Sequence, residues 1–396
     1  MASKIIILPM TNTVLGSDYT GTIEVGDPPV SVALILDSGS SALGIAAHHY
    51  KPVIGKGAES TDLVQSMSYG SGAWFGSVVK TTVSIGAGAS QISVPNCSVG
   101  VAKTNTSDMF KPAGGILGLA YIGLDDAFQM PGATWPLKYD FNQVKKLGKA
   151  ANVDPFFNQL VGAEGIDQKF GFYSLRSIVR SAAGVDSATD PFNQGWIILG
   201  GGPESTNLFT GAFQTANVVG DDWYDTNIKS VQVGDQPPIP VQSFLETTSN
   251  GWKVSNSIID TGTNSIMIYQ PIYDKMLSSF EALNADFASA IKTASLGAGQ
   301  AVGNDVLTNL NWPPVQFVLE GVGADVTLTL SPDTYWQTDA GQANAAIFMI
   351  LGSSSNQSIL GLPLLNNYFT VFDQTGNGTI EFAQIVGPTG GALPQP

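Results

Sequence analysis

One pattern occurs twice in this chain. Leu34-Ile-Leu-Asp37-Ser38-Gly39-Ser40-Ser41 and Ser257-Ile-Ile-Asp260-Thr261-Gly262-Thr263 are each an apolar run ending in Asp, then a hydroxyl residue, Gly and a hydroxyl residue. Downstream of each lies the same apolar word, Ile116-Leu117-Gly118-Leu119 and Ile359-Leu360-Gly361-Leu362. A long, diverged internal duplication is the simplest account. What repeats is a carboxylate on a tight turn after a buried strand. The duplication predicts two half-sites facing each other in one cleft.

A single Asp-x-Gly marks turns in many proteins and carries little information alone. Two copies with matched hydroxyls and matched downstream words carry much more. Glycine lets the backbone turn sharply and lets another backbone approach closely. The flanking hydroxyls can hydrogen-bond the carboxylate oxygens and hold them in plane. Two carboxyls held about 3 Å apart do not both ionise readily, so they share a proton and titrate as a coupled pair. The ionised member can take a proton from a trapped water while the protonated member donates to a carbonyl oxygen. That is general acid–base hydrolysis of an amide without a covalent intermediate.

The length of 396 residues suits about two domains. The expected division is 1–203, with the first Asp turn, and 204–396, with the second, near Gly200-Gly201-Gly202-Pro203. That glycine run lacks the spacing of a phosphate-binding loop and reads as a turn. Hydrophobic residues are 43%, enough for a core in each half, and Gly 45 and Pro 22 fit a mainly β chain with many turns. Strands are expected at residues 5–8, 22–25, 32–36, 78–85, 195–199, 228–233, 315–319, 326–330 and 368–372. Helices are expected at 140–149, 155–160 and 271–283. A net charge of −15 argues against nucleic acid or an anionic membrane face as partner. Charged residues make up 12%, about half the usual share, a composition suited to acid. No apolar run is long enough to span a membrane. The single cysteine, Cys97, allows no intrachain disulfide and leans toward a reducing compartment.

With these residues in hand, the chain resembles the pepsin-like aspartic peptidases over nearly its whole length. Asp37-Ser38-Gly39-Ser40 and Asp260-Thr261-Gly262-Thr263 are similar to the two catalytic loops, and Gly118 and Gly361 to the apolar-apolar-Gly motifs behind them. Ser68-Tyr69-Gly70-Ser71-Gly72, with Gly76, resembles the flap hairpin that covers the substrate. Asp18 to Ile23 and Tyr368 to Asp373 match the family's entering and closing strands. The resemblance implies an all-β, bilobal fold of two related barrel-like lobes with a cleft between them and few short helices. It implies a dyad of Asp37 and Asp260, with Ser40 and Thr263 bonding the outer carboxylate oxygens and Ser38 and Thr261 bracing the loops. Tyr69, with Gly70 and Ser71, would cap the substrate. The implied activity is pepstatin-sensitive endopeptidase action on extended polypeptides at acid pH, by a monomer needing no cofactor or metal.

Several departures from the family pattern bear on this reading. Ser38 replaces the usual Thr but keeps the hydroxyl. Gly44 stands where many members carry a tryptophan that hydrogen-bonds the flap tyrosine, a loss that Trp74 in the flap can compensate. The family's disulfides are missing, and only about 18 residues precede Tyr19. That is similar to bacterial homologues without signal, prosegment or disulfides, and sets the expectation of a cytoplasmic bacterial protein. The alternative is a secreted enzyme whose leader has been removed. Two other functions compete: a catalytically inactive binding or inhibitor protein on the same fold, and a glycosidase with two carboxylates about 5–9 Å apart. The intact loops and flap tyrosine argue against the first, and the short braced loops against the second. Asp373 to Ile380 mimics a calcium loop but has Gln384 at its twelfth position and reads as a turn. His48-His49 reads as surface, and Cys97 as a buried small hydrophobe. Trp74-Phe75 reads equally as substrate-facing or as hairpin packing.

Overall fold

The structure is a computed structural model that describes residues 4–70, 72–105, 109–295 and 301–396. The chain divides into two compact units. The first comprises Met1–Met10, Thr20–Gln168 and Ile198–Gly201; the second comprises Thr11–Tyr19, Lys169–Ile197 and Gly202–Pro396. Both are mostly β with short helices, as the turn-rich composition requires.

In the first unit the sheet order runs Lys149–Asn152, Asp126–Gln129, Ala58–Tyr69, Gly72–Ile85, Ile92–Asn105, Leu43–Ala46, Gly115–Gly118, Val30–Asp37, Thr20–Val25, Ile6–Thr11. Thr20–Val25 also pairs with Gly72–Ile85, through Glu24 with Ser84 and Val25 with Val83. That extra pairing joins the sheet to itself and removes an exposed edge. Val30–Asp37 alternates at its entry and is buried from Leu34 to Asp37, the pattern of a strand that starts at the surface and ends in the core. Its end pairs in parallel with Gly115–Gly118, with Asp37 opposite Gly118.

The second unit holds three larger sheet regions. Lys169–Tyr173, Tyr368–Asp373, Thr379–Ile385 and Phe209–Asn217 lie side by side. Asp225–Thr226, Ser257–Ile259, Ser358–Leu360, Ile266–Tyr269 and Ile350–Ser353 form a five-stranded sheet. Ile239–Pro240, Ile228–Val233, Val315–Leu319 and Val326–Leu330 form a four-stranded one. Ser257–Ile259 pairs in parallel with Ser358–Leu360, so the strand entering the second Asp turn is held as the first is. The amphipathic helix Gln270–Leu283 buries Ile272, Met276 and Phe280. Phe280 meets Phe287, Trp312, Tyr335 and Phe348 edge-on at centroid distances of 5.9 to 6.3 Å, a geometry that aromatic quadrupoles favour. No helix among the described residues is long and apolar enough to cross a membrane.

Candidate active site

Asp37 ends its strand and is 5% exposed. Its Oδ1 accepts the Gly39 N–H at 2.8 Å and its Oδ2 accepts the Ser40 hydroxyl. The loop is fixed from behind. Gly118 N–H donates to the Ala42 carbonyl at 3.0 Å, Leu119 N–H to Asp37 at 2.8 Å and Ala120 N–H to Ser40 at 2.8 Å. Gly118 is required there, since a Cβ would lie 2.4 Å from the Ser41 carbonyl carbon. Ser38 is completely buried, and the Ser41 hydroxyl donates to the Tyr121 carbonyl.

The second turn repeats this hydrogen-bonding. Asp260 is 7% exposed. Its Oδ1 accepts the Gly262 N–H at 2.8 Å, and its Oδ2 accepts the Thr263 hydroxyl at 2.6 Å. Gly361 packs behind it, where a Cβ would lie 2.2 Å from the Thr263 carbonyl oxygen, and Leu362 N–H donates to that same oxygen at 2.9 Å. Thr261 is completely buried. Each carboxylate is thus held in plane by one backbone amide and one hydroxyl two and three residues ahead. A carboxylate so gripped is aimed by bonds to both of its oxygens, and charge-assisted bonds of this kind are the stronger class.

The hairpin of Ala58–Tyr69 with Gly72–Ile85 places Tyr69 opposite Gly72 at its end. Gly70 is an exposed turn residue, and Ser71 lies outside the described residues. Burial pushes the Tyr69 phenol well above its ordinary range, and the negative charges of Asp37 and Asp125 add to the effect. Trp74 Nε1–H donates to the Tyr69 hydroxyl at 3.2 Å, and the Ser40 hydroxyl is a further hydrogen-bond partner. The Trp74 indole is 1% exposed and lies against two glycines. A Cβ on Gly44 would fall 2.8 Å from the indole, and one on Gly100 would fall 2.5 Å from it. The indole therefore fills the space that Gly44 leaves open and supplies the donor for the tyrosine from within the flap. Phe75 packs beside Val64, Met130, Leu137 and Val144. Both aromatics of the pair are hairpin packing.

Two carboxyls escaped the sequence reading. Burial, reinforced by the charge of Asp260, pushes Asp18 up to about 7. Burial likewise pushes Asp125 up to about 8. Gln65 Nε2–H donates to Asp125 Oδ1, while Asp125 Oδ2 is buried without a hydrogen-bond partner, as suits a carboxyl that keeps its proton. Hydropathy periodicity carries no sign of either. Elsewhere, Asp373 Oδ1 accepts from the Thr375 amide at 2.7 Å and its hydroxyl at 2.6 Å, making the turn between the last two strands. His48 and His49 are exposed with rings 4.4 Å apart. Cys97 is completely buried, and burial pushes its thiol up to about 12, which keeps it protonated and inert.

Comparison with known proteins bears on the family of the chain. The family described as eukaryotic aspartyl protease matches residues 18–385. Gastricsin of Mus musculus is 25% identical over 391 residues, covering 94% of this chain and 82% of the relative. Pepsin-2B of Gadus morhua is 25% identical over 380 residues, covering 91% and 94%. Gastricsin of Homo sapiens is 22% identical over 383 residues, covering 92% and 81%. The matched span takes in both carboxylate turns, both glycines behind them and the hairpin bearing Tyr69, so the chain belongs to the eukaryotic aspartyl protease family.

Proposed function

We propose that this chain is an endopeptidase that hydrolyses peptide bonds of extended polypeptides, with Asp37 and Asp260 acting as a pair on one water. One observation carries the reading: both carboxyls sit in the same cradle, an amide on Oδ1 and a hydroxyl on Oδ2. Such a cradle aims a carboxylate without neutralising it. With the two carboxyls sharing one proton, the ionised one draws a proton from water as the oxygen attacks the carbonyl carbon. The protonated one donates to the carbonyl oxygen, and the tetrahedral species collapses with proton transfer to the leaving amine. Ser38 and Thr261, both buried, brace the two turns. Tyr69 and Gly70 cover the substrate, whose extended backbone pairs with the flap as an added strand.

The activity belongs to acid pH, where the pair holds one proton. A digest of a mixed peptide library at about pH 4 tests the reading, with and without a pepstatin-type inhibitor. Cleavage that the inhibitor abolishes supports it. No cleavage at any acid pH, or cleavage indifferent to the inhibitor, overturns it.

A further inference from the structure

The second unit contains a cavity of about 400 Å³ lined by Arg176, Arg180 and residues of the last strands. The two arginines differ. Arg180 is occupied: its Nη1 donates to Asp190 at 2.7 Å, its Nε lies 3.9 Å from Asp339, and its guanidinium covers the Phe192 ring at 5.1 Å. Arg176 is 6% exposed and, among the described residues, has no carboxylate at salt-bridge distance. One of its Nη2 hydrogens goes to the Thr338 carbonyl, while Nε is buried without a hydrogen-bond partner.

A buried guanidinium lacking a carboxylate is costly, and an unsatisfied buried donor adds to the cost. Asp190 and Asp339 offset the charge only at a distance, and burial still depresses this group, to about 10. The amides that line the cavity are already used. Asn366 bonds Ser174 and Ser177, and Asn367 bonds Ser331 and Thr334. Leu175, Phe192, Ile385 and Pro388 supply an apolar wall. One carboxylate, the exposed Asp333, also lines the cavity, and water screens it.

We propose that this cavity binds a small organic carboxylate, with the acid group on Arg176 and a short aliphatic tail on the apolar wall. Arg176, without a carboxylate partner among the described residues, matches one negative charge, and the apolar wall favours a carboxylate over an inorganic oxyanion. The same chemistry comes from a free acid or from the C-terminus of a peptide.

Butyrate tests the site, with butyramide as the neutral isostere, sulfate as the inorganic arm and N-acetyl-leucine as the peptide-terminus arm. Unfolding is followed at pH 6 with chloride holding ionic strength constant. Saturating butyrate or N-acetyl-leucine is expected to raise Tm by about 2 °C, while butyramide and sulfate leave it unchanged. Whichever acid gives the larger shift identifies the source. Arg176→Met should abolish the shift and Arg176→Lys should keep part of it. Equal shifts from butyrate and butyramide, an equal shift from sulfate, or an undiminished shift in Arg176→Met overturns the proposal. Should Arg176→Met not fold, a crystal soaked in 4-bromobutyrate decides. Anomalous bromine signal in the cavity supports the site, and its absence there overturns it.

Discussion

At the residue scale, the indole of Trp74 links two glycines to one tyrosine. Its N–H is the donor to Tyr69, and its faces leave no room for a Cβ at Gly44 or Gly100. The two functions separate by substitution. Trp74→Phe keeps most of the apolar bulk and removes the donor. A hydrogen bond of about 1 kcal/mol corresponds to about a fivefold loss in kcat/KM with little change in Tm. Gly44→Ala leaves the donor in place but overpacks the indole, which costs about 1–3 kcal/mol of stability. Combining the two should cost less than their sum, because the smaller ring relieves the clash. Kinetics and thermal unfolding of the three variants check this. Simple additivity in Tm would show that Gly44 and Trp74 do not act together.

At the element scale, each Asp turn follows a strand paired in parallel with a second strand that runs into glycine, Gly118 as its last residue and Gly361 just after its end. Gly118→Ala and Gly361→Ala each force a Cβ to within 2.4 Å or less of backbone, so neither clash can be relieved by a rotamer change. Each should lower stability by about 3 kcal/mol, at or beyond the upper end for overpacking, measured as the denaturant midpoint. Much at this scale was legible. Strands at Ile228–Val233, Val315–Leu319 and Val326–Leu330 fall where alternation puts them, because alternation is a direct signature of a half-buried strand. The helices Phe141–Leu147 and Phe156–Glu164 start where Asp140 and Pro155 predict. The helix Ala285–Ala294 was missed, because two of its four buried positions are alanines and Phe287 and Ile291 alone make a weak stripe. The two Asp turns were legible because they occur twice. Asp18 and Asp125 were not, since a carboxyl's burial depends on what packs over it. Trp74 was half legible: its presence in the flap was plain, but its contact with Gly44 needed the fold.

At the scale of the whole molecule, carboxyls that keep their protons when folded tie stability to acid. Asp125 titrates at about 8 and Asp225 at about 6, both through burial. Each binds its proton more tightly folded than unfolded, so its contribution is complete below about pH 4 and is lost as pH rises through the folded value. For Asp125 the loss runs from about pH 4 to 8, at up to about 1.4 kcal/mol per pH unit. Stability should therefore fall toward neutrality, and Asp125→Asn, which keeps the acceptor for Gln65, should flatten the fall. Denaturant melts between pH 4 and 8 test this, and a variant whose slope equals that of the native chain would refute it. The central claim is that Asp37 and Asp260 act together on one water. The most direct measurement is the turnover number on one acid-cleaved peptide for Asp37→Asn, Asp260→Asn and the double variant, each checked to be folded. The account predicts that either single change removes at least about 10³-fold and that the double removes little more, as for groups that act as a unit. A single variant retaining native turnover, or losses that multiply in the double, would contradict it.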